Sequence, residues 1–481
     1  MTEYETVIGL ESHAQLLTQT KLFCGCRATF GSPPNTNVCP VCLGLPGALP
    51  VLNREAITLA VRMALAVGCS VSETSVFARK NYFYPDLPKG YQISQYDRPL
   101  AEAGSVSFEL DGESKRVKIE RIHMEEDAGK LLHEGFPDAD RKSGIDFNRS
   151  GIPLIEIVTE PEMSSPAEAV RYAQALKEIL EYTGVSDADM EKGNFRCDGN
   201  ISIRPRGSDR LGTKVEIKNL NSFRFLGYAL AHEVERQIEL IDSGGRVVQE
   251  TRLYDPEADL TVSMRSKEEA HDYRYFPEPD LPPLRLEAVF LEELVSTLPE
   301  LPANKRARLA EDYGLPAYDA EVLTSSRELA DYFEAAAKAS GNAKAASNWV
   351  MSELLRQLKE TGGSVATFPV DGASLGSLIR LVDEGKISGQ IAKDVFEQMI
   401  ETGDEAISII ERKGLSQISD LGAIEELVRT LIGESIEQVE EFKSGNEKVL
   451  GWMVGQIMRA SKGKANPQLA RETLLRILSD T

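Results

Sequence analysis

No stretch of this chain approaches the roughly 18 consecutive apolar residues that cross a bilayer, so no membrane helix is expected. The opening Met1-Thr2-Glu3-Tyr4-Glu5 lacks a basic region followed by an apolar one, and a cytoplasmic location is the expectation. Positive charge is short as well: 54 Lys and Arg stand against 76 Asp and Glu, a net charge of -22. Phosphate binding draws on clustered Lys and Arg, so a general nucleic-acid coat is excluded and any RNA contact has to be local. Also missing are G-x-x-x-x-G-K-[ST] and G-x-G-x-x-G; a nucleotide would have to be held by metal and side chains. No internal repeat or low-complexity tract interrupts the text. With 42% hydrophobic and 27% charged residues among 481, the chain reads as a globular protein of roughly two to four domains.

Cysteine is scarce, yet four of the six are crowded together as Cys24-x-Cys26 and Cys39-Pro40-Val41-Cys42. Two close thiolate pairs joined by a short loop can close a tetrahedral zinc site, and four thiolates leave no open position. Zinc here would be structural, forming a knuckle inserted in the first domain; Cys69 and Cys197 read as buried thiols.

Up to about residue 290 short strands alternate with Gly, Pro, Asn and Asp, with helices expected at Pro166 to Tyr182 and near Phe225 to Ile241. This predicts an α+β domain with a large mixed or antiparallel sheet over residues 1–290. Beyond Pro277, Pro279, Pro282 and Pro283 the pattern turns helical: Trp349, Val350, Leu354, Leu355 and Leu358 recur at helix spacing, as do Ile391, Val395, Phe396 and Met399. We read an all-α domain over 291–405 and a small helical tail over 406–481, whose stripe Leu450, Met453, Val454, Ile457 and Met458 is core.

In a strand through Thr6-Val7-Ile8-Gly9-Leu10-Glu11-Ser12-His13-Ala14-Gln15-Leu16, Ile8, Leu10, Ala14 and Leu16 face one way while Glu11, His13 and Gln15 face the other. Acids recur in three further segments. After a strand at Arg121 to Met124 come Glu125, Glu126 and Asp127, ending at a Gly turn; Glu156 lies inside the apolar Leu154-Ile155-Glu156-Ile157-Val158, where an unpaired charge is costly. Arg196, Asp198, Asn200, Ser202 and Arg204 share a strand face, and Glu216 lies on a similar one. Carboxylate oxygens with an imidazole suit Mg²⁺ or Mn²⁺. Arg79-Lys80-Asn81-Tyr82 through Gln95 is polar, aromatic and aperiodic. It reads either as a surface loop pinned by tyrosines or as a place where Arg79, Lys80 and Lys89 approach phosphates. In the tail, Lys443, Lys448, Arg459, Lys462, Lys464, Arg471 and Arg476 form either a solvated face or a local RNA contact.

Val7 to His13, Arg79 to Asp86, Tyr91 to Gln95, His123 to Lys130, Pro153 to Ile157, Asp272 to Asp280 and Val454 to Met458, in that order, resemble the B subunit of the glutamyl/aspartyl-tRNA amidotransferase family. The resemblance implies a cradle domain, a helical domain and a tRNA-binding tail. It implies a ligase that phosphorylates the side-chain carboxylate of a misacylated Glu-tRNA or Asp-tRNA with ATP, so that ammonia completes the amide. It further implies a heterotrimer with an amidase subunit that supplies ammonia from glutamine and a small clamp subunit. By position it assigns Glu11, His13, Glu125 or Glu126, and Glu156 to metal and catalysis. It sets Asp198 beside them and makes Lys80 and Tyr82 neighbours in the same cradle; Arg79, Lys80 and Asp198 are the candidates for holding the nucleotide. Two other readings are weighed against this one: a metal-dependent hydrolase using the same acids without ATP, and a non-catalytic tRNA-binding scaffold. No Ser-Ser-Lys amidase signature is present, so the chain would not make its own ammonia.

Overall fold

The computed structural model describes residues 3–266, 273–415, 421–444, 446, 448–461 and 465–479. Asp272 of the 272–280 motif and Lys462 and Lys464 of the basic tail lie outside them. The chain divides into two compact units, Met1–Ala303 and Asn304–Thr481.

The first unit is built on a nine-stranded sheet. Its strand order is Leu260–Ser266, Glu250–Asp255, Val215–Lys218, Phe195–Pro205, Tyr4–Gln15, Pro153–Thr159, Glu113–Glu126, Ala101–Leu110 and Ser70–Val71. Val215–Lys218 and Glu250–Asp255 pair in parallel and every other neighbour is antiparallel, the mixed sheet of an α+β domain. Ile8, Leu10 and Ala14 of the central strand join Tyr172, Leu176, Leu226 and Leu230 in one core, so two helices cover that side. Those helices are Pro166–Tyr182, with the bounds read from the sequence, and Phe223–Asp242, slightly longer than expected. The Ser165 hydroxyl accepts from Glu168 N while Glu168 accepts from Ser164 N, satisfying amides that a helix start leaves free.

The register decides which polar side chains on the other face become neighbours. His13 stands opposite Glu156 and Arg196, Glu156 opposite His123, and Glu11 opposite Asp198. The Glu113–Glu126 strand does not end before the acids as expected. It pairs on through Glu125 and Glu126, opposite Leu154 and Pro153. Alternation therefore turns Glu125 toward His13 and Glu126 away from it.

The aperiodic segment forms an antiparallel hairpin, Phe77–Asn81 with Tyr91–Gln95, to which Phe276–Pro277 adds. Here too the period of two separates neighbours: Lys80 lies on one face and Arg79 on the other.

The second unit is helical and holds two apolar cores, one running from Leu309 to Ile410 and one from Ile424 to Leu478. A turn of π-helix, Val350–Leu354, joins Ala343–Trp349 to Leu355–Thr361. Leu450, Met453 and Ile457 are buried in the second core, as their spacing predicts. Among the described residues no helix is long and apolar enough to cross a membrane.

Candidate active site

Four strands of the large sheet bring acids and imidazoles to one spot. His13 Nε2 lies 3.2 Å from Glu156 Oε2, 3.5 Å from Glu125 Oε1 and 3.7 Å from Glu11 Oε1. His123 Nε2 is 3.2 Å from the same Glu156 oxygen. Glu156 and Glu125 are almost wholly buried, whereas Glu11 keeps about a quarter of its side chain, 27%, in solvent and marks the open edge. On that side Asp198 accepts from Lys218 Nζ at 3.1 Å.

Burial by itself would lower the His13 pKa, but Glu156, Glu125 and Glu11 override it and hold the imidazole up at about 9. Burial likewise works to raise Glu156, yet His123 and His13 keep it well below the usual carboxylate range. Glu11 is raised by desolvation and by Glu156, because two acids crowd with too little positive charge between them. Glu11, His13 and Asp198 each offer a ligand atom within 4.8 Å of the others, and so do His13, Glu125 and Glu156. Hard oxygens around one imidazole fit Mg²⁺ or Mn²⁺. A divalent ion bound there would supply the positive charge that the crowded acids require.

The small sheet bounds this site. Ser94 Oγ donates to Glu125 Oε2 at 3.4 Å, and Lys80 Nζ lies 5.0 Å from the Tyr273 ring centroid. Burial opposes the Lys80 charge, but Glu125 and Glu156 raise its pKa nonetheless. Arg79, expected near phosphates, is turned to the other face, where its Nε and Nη2 donate to Glu278 at 2.7 and 2.8 Å and it covers the Tyr91 ring. Glu126 does not join the cluster: its carboxylate pairs with Lys89 Nζ and accepts from Ile93 N at 3.0 Å. Lys89 is accordingly committed to that pair, and the two residues help line a cavity of about 210 Å³ together with Phe23, Cys42 and Gly151.

His123, Asp127 and Arg196 are the residues that the assigned set missed. Asp127 is buried and holds Arg196 Nη2 at 2.7 Å and Gln15 Nε2 at 2.9 Å, tying the central strand to the end of the acidic one. The signal was present in His123-x-Glu125-x-Asp127, which share a face once the strand is extended.

The four clustered cysteines also converge, with sulfurs within 4.8 Å of one another. Cys39 and Cys42 Sγ are 3.9 Å apart, close to the roughly 3.8 Å edge of a tetrahedron of sulfurs about zinc. Cys39 N donates to Cys42 Sγ at 3.1 Å. The contact between Cys24 and Cys42 lowers the Cys42 thiol and raises that of Cys24, because two close sulfurs share one proton. Gly44, at φ +65°, lets the knuckle lie against Lys89, since a Cβ there would fall 2.5 Å from Lys89 Cγ.

Comparison with known proteins places these residues in a family. Residues 6–292 match the family model of the GatB/GatE catalytic domain, and residues 331–478 match that of the GatB domain. The B subunit of the aspartyl/glutamyl-tRNA(Asn/Gln) amidotransferase of Carboxydothermus hydrogenoformans is 54% identical over 474 residues, 98% of each chain. Its counterpart in Geobacter sulfurreducens, which carries the same name, is 54% identical over 475 residues, 99% of each.

Proposed function

The chain belongs to the GatB/GatE family, and from that premise we propose that it activates the side-chain carboxylate of a misacylated Glu-tRNA or Asp-tRNA with ATP and completes it as the amide. A carboxylate oxygen of the aminoacyl group attacks the γ-phosphorus, ADP leaves, and ammonia displaces phosphate from the acyl phosphate. The observation that carries this reading is the convergence of Glu11, His13, Glu125 and Glu156 with Asp198 at one edge and the Lys80 ammonium within the field of Glu125 and Glu156. A divalent cation bound there would orient the phosphates and neutralise charge that grows during transfer. Glu11, His13, Glu125, Glu156 and Asp198 would hold it. Lys80 offers its ammonium to phosphate oxygens, and His123 fixes the Glu156 carboxylate. Arg79 and Glu126 act outside this set, because their charges are already paired.

A scaffold gains nothing from crowding acids until Glu11 is raised. A stand-alone hydrolase is separated by ATP dependence, since hydrolysis of an amide or ester needs none. Zinc is the metal we assign to Cys24, Cys26, Cys39 and Cys42. Metal analysis should find one zinc per chain, and Cys39→Ser should lose it with a lowered melting temperature; an unchanged metal content would remove the assignment. The ammonia source we propose is an amidase subunit, clamped to this chain by a small third subunit in the cytoplasm.

The deciding experiment is release of ADP from ATP with Mg²⁺ and misacylated tRNA by the assembled complex. Glu156→Gln should lower it at least about a hundredfold while tRNA affinity stays unchanged. Equal release from both proteins would take Glu156 out of the mechanism, and loss of fold alone would favour the scaffold.

A further inference from the structure

The face of the small sheet that carries Lys80 also carries a row of aromatic rings that the reaction above leaves without a role. Tyr96 and Tyr275 lie face to face, ring centroids 4.2 Å apart and planes within 5°. Tyr275 meets Tyr273 edge-on at 6.0 Å, and Tyr273 meets Tyr82 in the same way. Ala78, two residues from Lys80 on the same strand face, is small, and it separates the strands bearing the two stacked tyrosines.

The backbone holding the row is strained. Arg274 sits at φ +45°, a region that a residue with a Cβ rarely enters, and this lets Tyr273 and Tyr275 join one row. Asn81 Nδ2 secures the distortion by donating to the carbonyls of Tyr273 and Arg274 at 3.1 and 2.9 Å. Tyr96 is half exposed although Tyr275 covers one of its faces, which leaves ring surface available to a planar ligand. The row also feels the acids: Tyr275 is pushed up to about 12 by burial against the favourable charge of Lys80, with Glu156 and Glu125 adding to the rise.

We propose that the Tyr96–Tyr275 pair is a stacking platform for an adenine base, with Lys80 between the platform and the carboxylates to receive the phosphate or ester end of the same substrate. This rests on the reading given above, in which both substrates end in adenosine: ATP, and the 3′ terminus of the tRNA. An adenine presents a π-face to the exposed tyrosine, and such base–aromatic contacts are worth roughly tenfold or more in affinity. The strain at Arg274 is explained by the geometry this platform demands.

The test measures equilibrium binding to the assembled complex, with Mg²⁺, in two arms. One arm compares ATP with ribose 5′-triphosphate; the other compares an acceptor-stem RNA ending in adenosine with the same RNA ending in an abasic residue. In one of the arms, removing the base and Tyr96→Leu should each cost about tenfold, and together no more than either alone. Tyr96→Phe, which keeps the ring, should bind as the wild type does, and this separates stacking from a loss of fold. Coupling in the ATP arm identifies the nucleotide as the occupant, and coupling in the RNA arm identifies the tRNA terminus. Independent or absent effects in both arms overturn the platform. The ADP-release assay on the same proteins reports separately on the underlying reading: misacylated-tRNA-dependent release with no coupling in either arm sinks the platform alone.

Discussion

Arg79 donates from Nε and Nη2 to the wholly buried carboxylate of Glu278, and Nη2 also reaches Asp280 at 3.3 Å. Removing one partner of a buried pair strands the other, so Arg79→Met should destabilise the protein by about 3 kcal/mol in urea unfolding. The KM for ATP should stay within about twofold in the folded variant; a tenfold rise would return Arg79 to the nucleotide. Lys80, one residue on, faces the acids instead. From residue types the two basic groups were equivalent candidates. Only the strand pairing of Phe77–Asn81 with Tyr91–Gln95 separates them. The same reasoning divides Glu125 from Glu126. His123 escaped assignment because a strand ending before the acids gives no reason to place it on the Glu125 face.

Among the elements, the helices were legible and the polar hairpin was not. Pro166–Tyr182 announces itself by its cap and its apolar stripe. The hairpin hides because its strands are short and their polar residues are held by tertiary partners rather than by solvent. The π-turn Val350–Leu354 was likewise invisible in a stripe that reads as continuous helix. It carries the buried Glu353, which pairs with Lys393 at 2.7 Å and with Arg356 at 3.0 Å. Burial works to raise the Glu353 pKa, but Lys393 and Arg356 prevail and lower it. A depressed carboxylate contributes stability above its unfolded pKa near 4.5, and loses it as pH falls through the lower folded value. Glu353→Gln should therefore cost about 2 kcal/mol at pH 7, with the gap to wild type narrowing in unfolding curves at the acid end, below pH 4. A gap independent of pH would mean that the charge is not what matters.

At the scale of the whole molecule, the tail has its own core from Ile424 to Leu478, and Lys443, Lys448, Arg459, Arg471 and Arg476 are exposed there. Arg476 is partly neutralised by Glu425. The helix Ala406–Lys413, assigned to the tail from sequence, buries Ile409 and Ile410 in the preceding core. A truncation meant to spare that core belongs after Leu415. Such a truncation should weaken tRNA binding at least about tenfold, make it less sensitive to salt, and leave metal content unchanged. Unchanged tRNA affinity would reduce the basic residues to a solvated face.

The class of fold, the succession of sheet and helices, the cysteine quartet and the family were legible in the amino-acid text alone, because periodicity, close ligand spacing and ordered motifs are local properties of it. It also supplied Glu11, His13 and Glu156, whose strand alternation is plain within a few residues. Tertiary structure decided which acids meet and which pair elsewhere. Glu11 and Asp198 are far apart in sequence and opposite each other in space, and the raised His13 and lowered Glu156 owe their direction to such cross-strand neighbours, which override burial. Register, which sets side-chain neighbours across strands, is a property of the assembled sheet, and no single strand encodes it.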